Sequence, residues 1–319
     1  MRKAALLYNP DSGGSGRRRQ RELESALAVL RSGGVEAGLL LTESRDHAGE
    51  EARVAIASGC DTIFACGGDG TVNNIAQVLA NSAVALGILP MGTANALAHD
   101  LGLPLNVADA AKAALHGTPR RIALGSVRYV DLEGNRGMRY FVVAAGVGVD
   151  AHLFYKRHTG AKQRMGMAAY YAKAWNLWFT YPMTRFVAEY VATGSEEPQN
   201  AEVTELMSVR IRNFGGVLQE LAPEASLDRD DMRLVFCRTA SRLAYFAYVT
   251  RGLLRRRWQV PGIDLAHCTS VSCQYRAPSP GTPQKLRKIY VEADGELLGT
   301  LPVKITVVPS ALTLLAPPG

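Results

Sequence analysis

The sequence has few cysteines and no pattern among them. Cys60, Cys66, Cys237, Cys268 and Cys273 are odd in number, scattered and without a CxxC pair, which argues against a disulfide framework or a cysteine zinc site and for buried thiols in a reducing compartment. The six histidines show no metal-ligand spacing. No uninterrupted apolar run approaches the length of a membrane span. The start, MRKAALLYNPDSGG, offers too short an apolar stretch for the core of a signal peptide. A cytoplasmic protein is expected, with any membrane contact peripheral, at the inner face. Three nucleotide-using signatures are also missing. There is no GxxxxGKS or GxxxxGKT, which excludes a P-loop NTPase. No GxGxxG is followed by an acidic residue on the next strand, which disfavours a Rossmann dinucleotide site. Neither HRDxxxxN nor DFG occurs, which excludes a protein kinase.

What is present is an ordinary globular composition. The chain has 319 residues, 47% hydrophobic and 20% charged, enough for two domains with a sizeable core. The net charge is +7 and the sequence pI about 9.2. That balance suits a partner carrying phosphates: a nucleotide, an anionic membrane surface or a nucleic acid.

Two periodicities alternate in the first third. Residues 3–8, 36–41, 61–66 and 84–89 read as short buried strands. Residues 17–32, 46–58, the stretch after Gly70 and 106–116 read as helices, with Leu23, Ala26, Leu27 and Leu30 on one face of the first. Such alternation predicts a doubly wound, mostly parallel sheet in a three-layer α/β/α architecture over residues 1–120. After about Pro119 the pattern changes. Strands are expected at 121–130, 138–149, 185–193, 203–213, 232–238, 288–293 and 301–308, forming an antiparallel β-sandwich-like domain over 121–308. It carries helical insertions at 163–181 and 241–258, and a return of residues 309–319 to the first domain is left open.

Three glycine turns follow predicted strands and precede helices. NPDSGGSG at 9–16 offers Asn9, Ser12 and glycines beside the basic run Arg17, Arg18, Arg19 and Arg21. GGDGT at 67–71 places Gly67, Gly68 and Gly70 where backbone can approach a ligand closely, with free helix N–H groups behind them. Asp69 in that turn cannot face a phosphate without a bridging metal or a proton to take; an ordinary strand–helix turn is the competing reading. PMGTANALA at 90–98 adds Thr93 and Asn95 as side-chain donors. Each turn is weak by itself, but three on the carboxyl edge of one sheet mark a ligand-binding edge.

NPDSGG, TESRDHA at 42–48, GGDGTVNN at 67–74, PMGTANALAHDLGLP at 90–104, EASLDRDDMRL at 224–234 and ADGELLG at 293–299 stand in an order and spacing that resemble the diacylglycerol kinase catalytic domain family, most of all its soluble bacterial lipid kinases and sphingosine kinase-like relatives. The resemblance implies transfer of the γ-phosphate of ATP to the hydroxyl of a lipid alcohol such as diacylglycerol, with Mg2+ and without nucleic acid. Asn9, Pro10, Ser12, Gly13, Thr42, Gly67, Gly68, Gly70, Thr71, Asn73, Gly92, Thr93 and Asn95 would then contact ATP. Glu296 would match the general base, and Asp69 would sit near the transferred phosphate and magnesium. Asp228, Asp231 and Arg233 would mark a structural magnesium. Two departures stand out. Ala96 replaces an aspartate common in relatives, pointing toward the sphingosine kinase side and leaving the acceptor open. Met232 stands where many relatives carry glycine, and Arg229 puts a cation beside the metal position. Without the resemblance, Asp294-Gly295-Glu296 reads more simply as a hairpin turn.

YYAKAWNLWFTY at 170–181 fits an acyl-chain wall, an interfacial helix or a helix packed on the β-domain. TRGLLRRRWQV at 250–260 fits an anionic membrane surface or a solvated helix end. A homodimer is left open. The alternatives to a diacylglycerol kinase are a sphingoid-base or other lipid kinase, an NAD kinase, and a non-catalytic nucleotide- or lipid-binding regulator. The turn at 90–98 and the late Asp-Gly-Glu argue against NAD kinase, and intact Asp69 and Glu296 argue against the regulator.

Overall fold

The computed structural model describes residues 1–9, 16–42, 47–149, 151, 183–215, 220–254, 256, 258–276 and 287–317. Pro10, Ser12, Gly13, the aromatic segment 163–181 and nearly all of 276–285 therefore lie outside the described residues.

The early apolar runs are strands: β1 (Lys3–Tyr8), β2 (Glu36–Leu41), β3 (Thr62–Gly67) and β4 (Ala85–Pro90). They pair in parallel in the order β2-β1-β3-β4. Every position of β3 and β4 is buried, the condition under which a parallel strand reads as an unbroken apolar run. Between and after them come helices α1 (Gly16–Ser32), α2 (Ala48–Ala57), α3 (Asp69–Leu79), α4 (Ala96–Asp100) and α5 (Val107–Leu115). Alternate strand side chains feed two cores. Leu6, Tyr8 and Phe64 pack with Leu23, Leu27 and Leu30 of α1 and Val107 of α5. Leu7, Ile63 and Ala65 pack on the other face with Ala52 of α2, Ile75 and Leu79 of α3, and Leu97 of α4. Helices thus cover both faces, giving the expected three layers. Each fully buried leucine contributes about 1.5–3 kcal/mol.

The remaining described strands pair antiparallel with one another: β5 (Thr118–Val130), β6 (Arg136–Phe141), β7 (Ala144–Val147), β8 (Phe186–Ala192), β9 (Pro198–Val203), β10 (Glu205–Val209), β11 (Met232–Cys237), β12 (Ile263–Tyr275), β13 (Tyr290–Ala293) and β14 (Glu296–Ala316), with helix α6 (Arg242–Leu253) between β11 and β12. Phe141, Phe186, Leu206, Phe236 and Ile305 fill their shared core.

Strand β14 joins the two halves. It leaves the hairpin with β13, runs along β5, touches β12, and ends parallel to β4 at Thr313 and Leu314. Register shifts against β5 at Thr300/Lys304 and Val308/Leu312, with Ser310 at φ 48, let one strand bend from one half into the other. Val307-Val308-Pro309-Ser310 reads as a strand end, which is why 301–308 is too short an expectation. Other differences are local. Residues 138–149 form two strands, because backbone N–H groups at Val142, Val143 and Ala144 turn to Asp294. Strand β12 is absent from the expectation: a bulge between Cys268 and Ser270 breaks the period of two by which a strand is read.

Candidate active site

The parallel strands β1, β3 and β4 end at the same edge of the sheet. The chain order reverses between β1 and β3, the crevice where open α/β sheets bind ligands. At that edge two glycines cross. A Cβ on Gly92 would stand 2.3 Å from the Cα of Gly68, and one on Gly68 would stand 3.1 Å from the Cα of Gly92. Backbone meets backbone there, with no room for a side chain. Asn95, at φ 48 and ψ 45, closes the second loop on itself: its Oδ1 accepts from Gly92 N at 2.9 Å and its Nδ2 donates to Gly92 O at 3.1 Å. The side chain that was expected to donate to a ligand is thus a brace of the loop. Arg19, from the basic run, donates to Met91 O at 2.9 Å and ties α1 to this turn. Gly92→Ala is expected to cost about 1–3 kcal/mol by overpacking and to abolish the thermal upshift given by ATP. A wild-type melting curve with and without ATP would contradict this.

Asp69 is the first residue of α3, two positions earlier than the expected helix start. Gly68 is its N-cap, so Asp69 does not cap its own helix. Its Oδ1 accepts from Leu97 N at 3.3 Å at the start of α4, linking two of the turns. Asn9 and Thr42 are buried at the ends of β1 and β2, and the Thr42 hydroxyl has no hydrogen-bond partner among the described residues. A buried hydroxyl left this way suits a site completed by a ligand.

One turn further on, α3 carries a polar cluster. Asn73 is 1% exposed. Its Nδ2 donates to Asp294 Oδ2 at 2.5 Å and to Tyr140 O at 3.2 Å. Gln77 grips both backbone groups of Tyr140, donating at 2.9 Å and accepting at 2.8 Å, and so occupies the open edge of β6. Asn73 therefore faces the antiparallel half, where its amide holds Asp294, and not the glycine turn.

Asp294 and Gly295, at φ 47 and 79, form the two-residue turn between β13 and β14 that an Asp-Gly pair favours. The Asp294 carboxylate accepts from Val142 N at 2.8 Å, Val143 N at 2.9 Å and Ala144 N at 3.0 Å, besides Asn73. Burial pushes its pKa above the ordinary carboxylate value, and these bonds offset only part of that. Glu296 follows directly. Arg139 on β6 reaches it at 2.5 Å and donates the same nitrogen to Asn73 Oδ1 at 3.0 Å and Asn74 Oδ1 at 2.6 Å. The hairpin carboxylate is thereby fastened to the helix that starts at Asp69.

A model of the diacylglycerol kinase catalytic domain matches residues 3–127, and one of the YegS C-terminal NAD kinase beta sandwich-like domain matches residues 142–316. The chain belongs to the diacylglycerol kinase family. A diacylglycerol kinase of Bacillus subtilis (strain 168) is 28% identical over 305 residues, covering 95% of this chain and 92% of that one. One from Staphylococcus aureus (strain bovine RF122 / ET3-1) is 26% identical over 320 residues, covering 99% and 93%. A crystal structure of a diacylglycerol kinase from Bacillus anthracis str. Sterne superposes with a TM-score of 0.71 at 19% identity, covering 99% and 97%, which shows the shared fold. Members of this family are kinases, so ATP is the implied phosphate donor. Were a nucleotide's phosphates held at the glycine turn, the Asp69 carboxylate would be the group there suited to a magnesium ion.

In this member of the diacylglycerol kinase family, the residues expected to hold a structural magnesium take separate partners. Asp228 pairs with Arg120 at 2.5 Å and faces a cavity of about 490 Å3. Arg233 pairs with Glu224 at 3.2 Å. Asp231 is buried and gripped by Arg229 through two bonds of 2.7 and 2.6 Å, with His267 Nδ1 at 3.1 Å and Thr193 Oγ1 at 3.1 Å. Among the described residues no three His, Cys, Asp or Glu side chains stand where they could hold a metal. The set does not fit a bound cation, because a guanidinium already neutralises Asp231.

Burial alone would raise the Asp231 pKa. The hydrogen bonds from Arg229 and the neighbouring His267 outweigh it and hold the carboxyl below its ordinary range. A depressed carboxylate pKa stabilises the fold above about pH 3.9, and that contribution is lost as pH falls through the lower folded value. Arg229→Gln is expected to move acid unfolding, followed by circular dichroism, to higher pH. An unchanged midpoint would contradict the pairing.

Arg139 and Asp294 were not singled out by sequence. Arg139 sits in RGMRYF, a half-buried edge strand without a signature. Asp294 is visible there as a turn residue, and its partners at 142–144 are about 150 positions away.

Proposed function

We propose that the chain transfers the γ-phosphate of ATP to the hydroxyl of a lipid alcohol, diacylglycerol first among the candidates. The observation that carries this reading is the Asn73–Arg139–Glu296 linkage, which brings a carboxylate of the antiparallel half to the helix that opens on the glycine turn. Phosphoryl transfer asks for positioning and charge neutralisation more than covalent chemistry. The Gly67–Thr71 and Gly92–Asn95 turns would cradle the phosphates with backbone N–H groups. Glu296 would take the proton of the acceptor hydroxyl, with Arg139 fixing one of its oxygens. Asp69 would stand at the transferred phosphate. Magnesium, when bound, supplies neutralisation of phosphate charge there, and Asp69 is the residue that would hold it.

The test is γ-labelled ATP offered with a panel of lipids, comprising diacylglycerols, ceramide and sphingoid bases, with the labelled product identified by mass. Label on a diacylglycerol supports the reading. Label on a sphingoid base moves the acceptor to the sphingosine kinase side, and label on no lipid overturns the reading.

A further inference from the structure

Helix α6 is apolar on two faces. Tyr245, Tyr248 and Gly252 face inward, into a cluster with Ala144, Val209, Val235 and Ile263. A helix with a second apolar face is normally covered on that face too. Here the outward positions Leu243 (80% exposed), Phe246 (46%), Val249 and Leu253 (38% each) reach the solvent, continued past the helix end by Leu254 (59%) and Trp258 (40%). The steps of three, three and four from 243 through 246 and 249 to 253 keep them on one side of the helix.

The sequence that carries this stripe is rich in arginine. From Arg238 to Ile263 the sequence has six arginines (238, 242, 251, 255, 256 and 257) and neither aspartate nor glutamate. Of these, Arg238 pairs with Asp264 at 2.9 Å, and Arg251 is buried against the Tyr248 ring. Arg242 and Arg256 are exposed beside the stripe. Leucines rimmed by arginine and closed by a tryptophan have the composition of a helix lying in a headgroup layer.

We propose that α6, with Leu254 and Trp258 beyond its end, docks on an anionic lipid bilayer, its leucines entering the acyl boundary and Arg242 and Arg256 meeting lipid phosphates. The choice of a bilayer rests on the reading above that the acceptor is a lipid. The surface also adjoins the candidate site: Ala144 packs in the cluster beneath α6 and donates its N–H to Asp294. A chain docked through α6 would draw its acceptor from the layer it touches.

The test separates docking from chemistry. Sedimentation with vesicles of phosphatidylcholine, with and without phosphatidylglycerol, reads binding in the absence of ATP. Phosphorylation of a short-chain, water-dispersed diacylglycerol reads chemistry away from a bilayer. Wild type is expected to bind the anionic vesicles and to release them as salt rises. Leu243→Ser with Leu254→Ser is expected to lower vesicle partition about tenfold or more, and Arg242→Gln with Arg256→Gln to lower it about fivefold per arginine at low salt. Both variants should keep wild-type turnover of the short-chain acceptor, which also shows that they fold. Wild-type binding by both variants overturns the proposal. So does loss of a concentration-dependent dimer in the leucine variant with vesicle binding intact, since the stripe would then be a contact between copies of the chain. Vesicle binding by a wild type that phosphorylates no lipid would leave the docking surface standing and remove the lipid-kinase reading.

Discussion

Glu296→Gln is expected to lower phosphoryl transfer to lipid by about 10²–10⁴-fold, the usual contribution of a positioned general base. The substitution is nearly isosteric. A glutamine oxygen can still accept from Arg139, so the Arg139 bridge to Asn73 and Asn74 has no reason to break. Affinity for ATP and the melting temperature should therefore stay near wild type, and the loss should fall on kcat. Steady-state kinetics with saturating ATP and a melting curve read these quantities together. A loss that fell on ATP binding, or a large drop in melting temperature, would assign Glu296 a structural role instead.

The largest effect on stability is expected at the neighbouring residue. Asp294→Ala removes the acceptor of three backbone N–H groups and of Asn73 Nδ2. Leaving even part of such donors unpaired costs about 1–3 kcal/mol each, so a loss of about 3 kcal/mol or more is expected by urea unfolding. Asp294→Asn is not a gentle replacement. Its NH2 can only donate, and all four partners are donors, so it should lose a large part of the same stability. The raised pKa of Asp294 adds a sign. The folded state favours the protonated form, so this group's contribution to stability falls as pH rises above the ordinary carboxylate range. An Asp294→Ala variant within 1 kcal/mol of wild type would mean that the loop at 142–144 is held by other contacts.

These two carboxylates show what sequence could and could not reveal. β1, β3 and β4 were legible because both their faces are buried and the apolar run is continuous. The glycine turns were legible because a close backbone approach, as between Gly68 and Gly92, admits no side chain. The junction was not. Asn73 looks the same in sequence whether it faces a ligand or another part of the fold, and its direction is set by Asp294, 221 positions away. Arg139 acquires its role from α3, 65 and 66 positions earlier. Strand β12 was lost to a bulge that breaks its period. Long-range polar pairing and register shifts are the features that a local pattern does not carry.

In the proposed function, the glycine turn and the Asp294–Glu296 hairpin form a single site that phosphorylates a lipid hydroxyl. The most direct measurement offers γ-labelled ATP to wild type and to Glu296→Gln with diacylglycerol vesicles and NAD in the same reaction, and identifies the labelled product by mass. The account predicts label on the diacylglycerol hydroxyl with wild type and its near absence with the variant. Label on the dinucleotide, or equal labelling of lipid by both proteins, would contradict it.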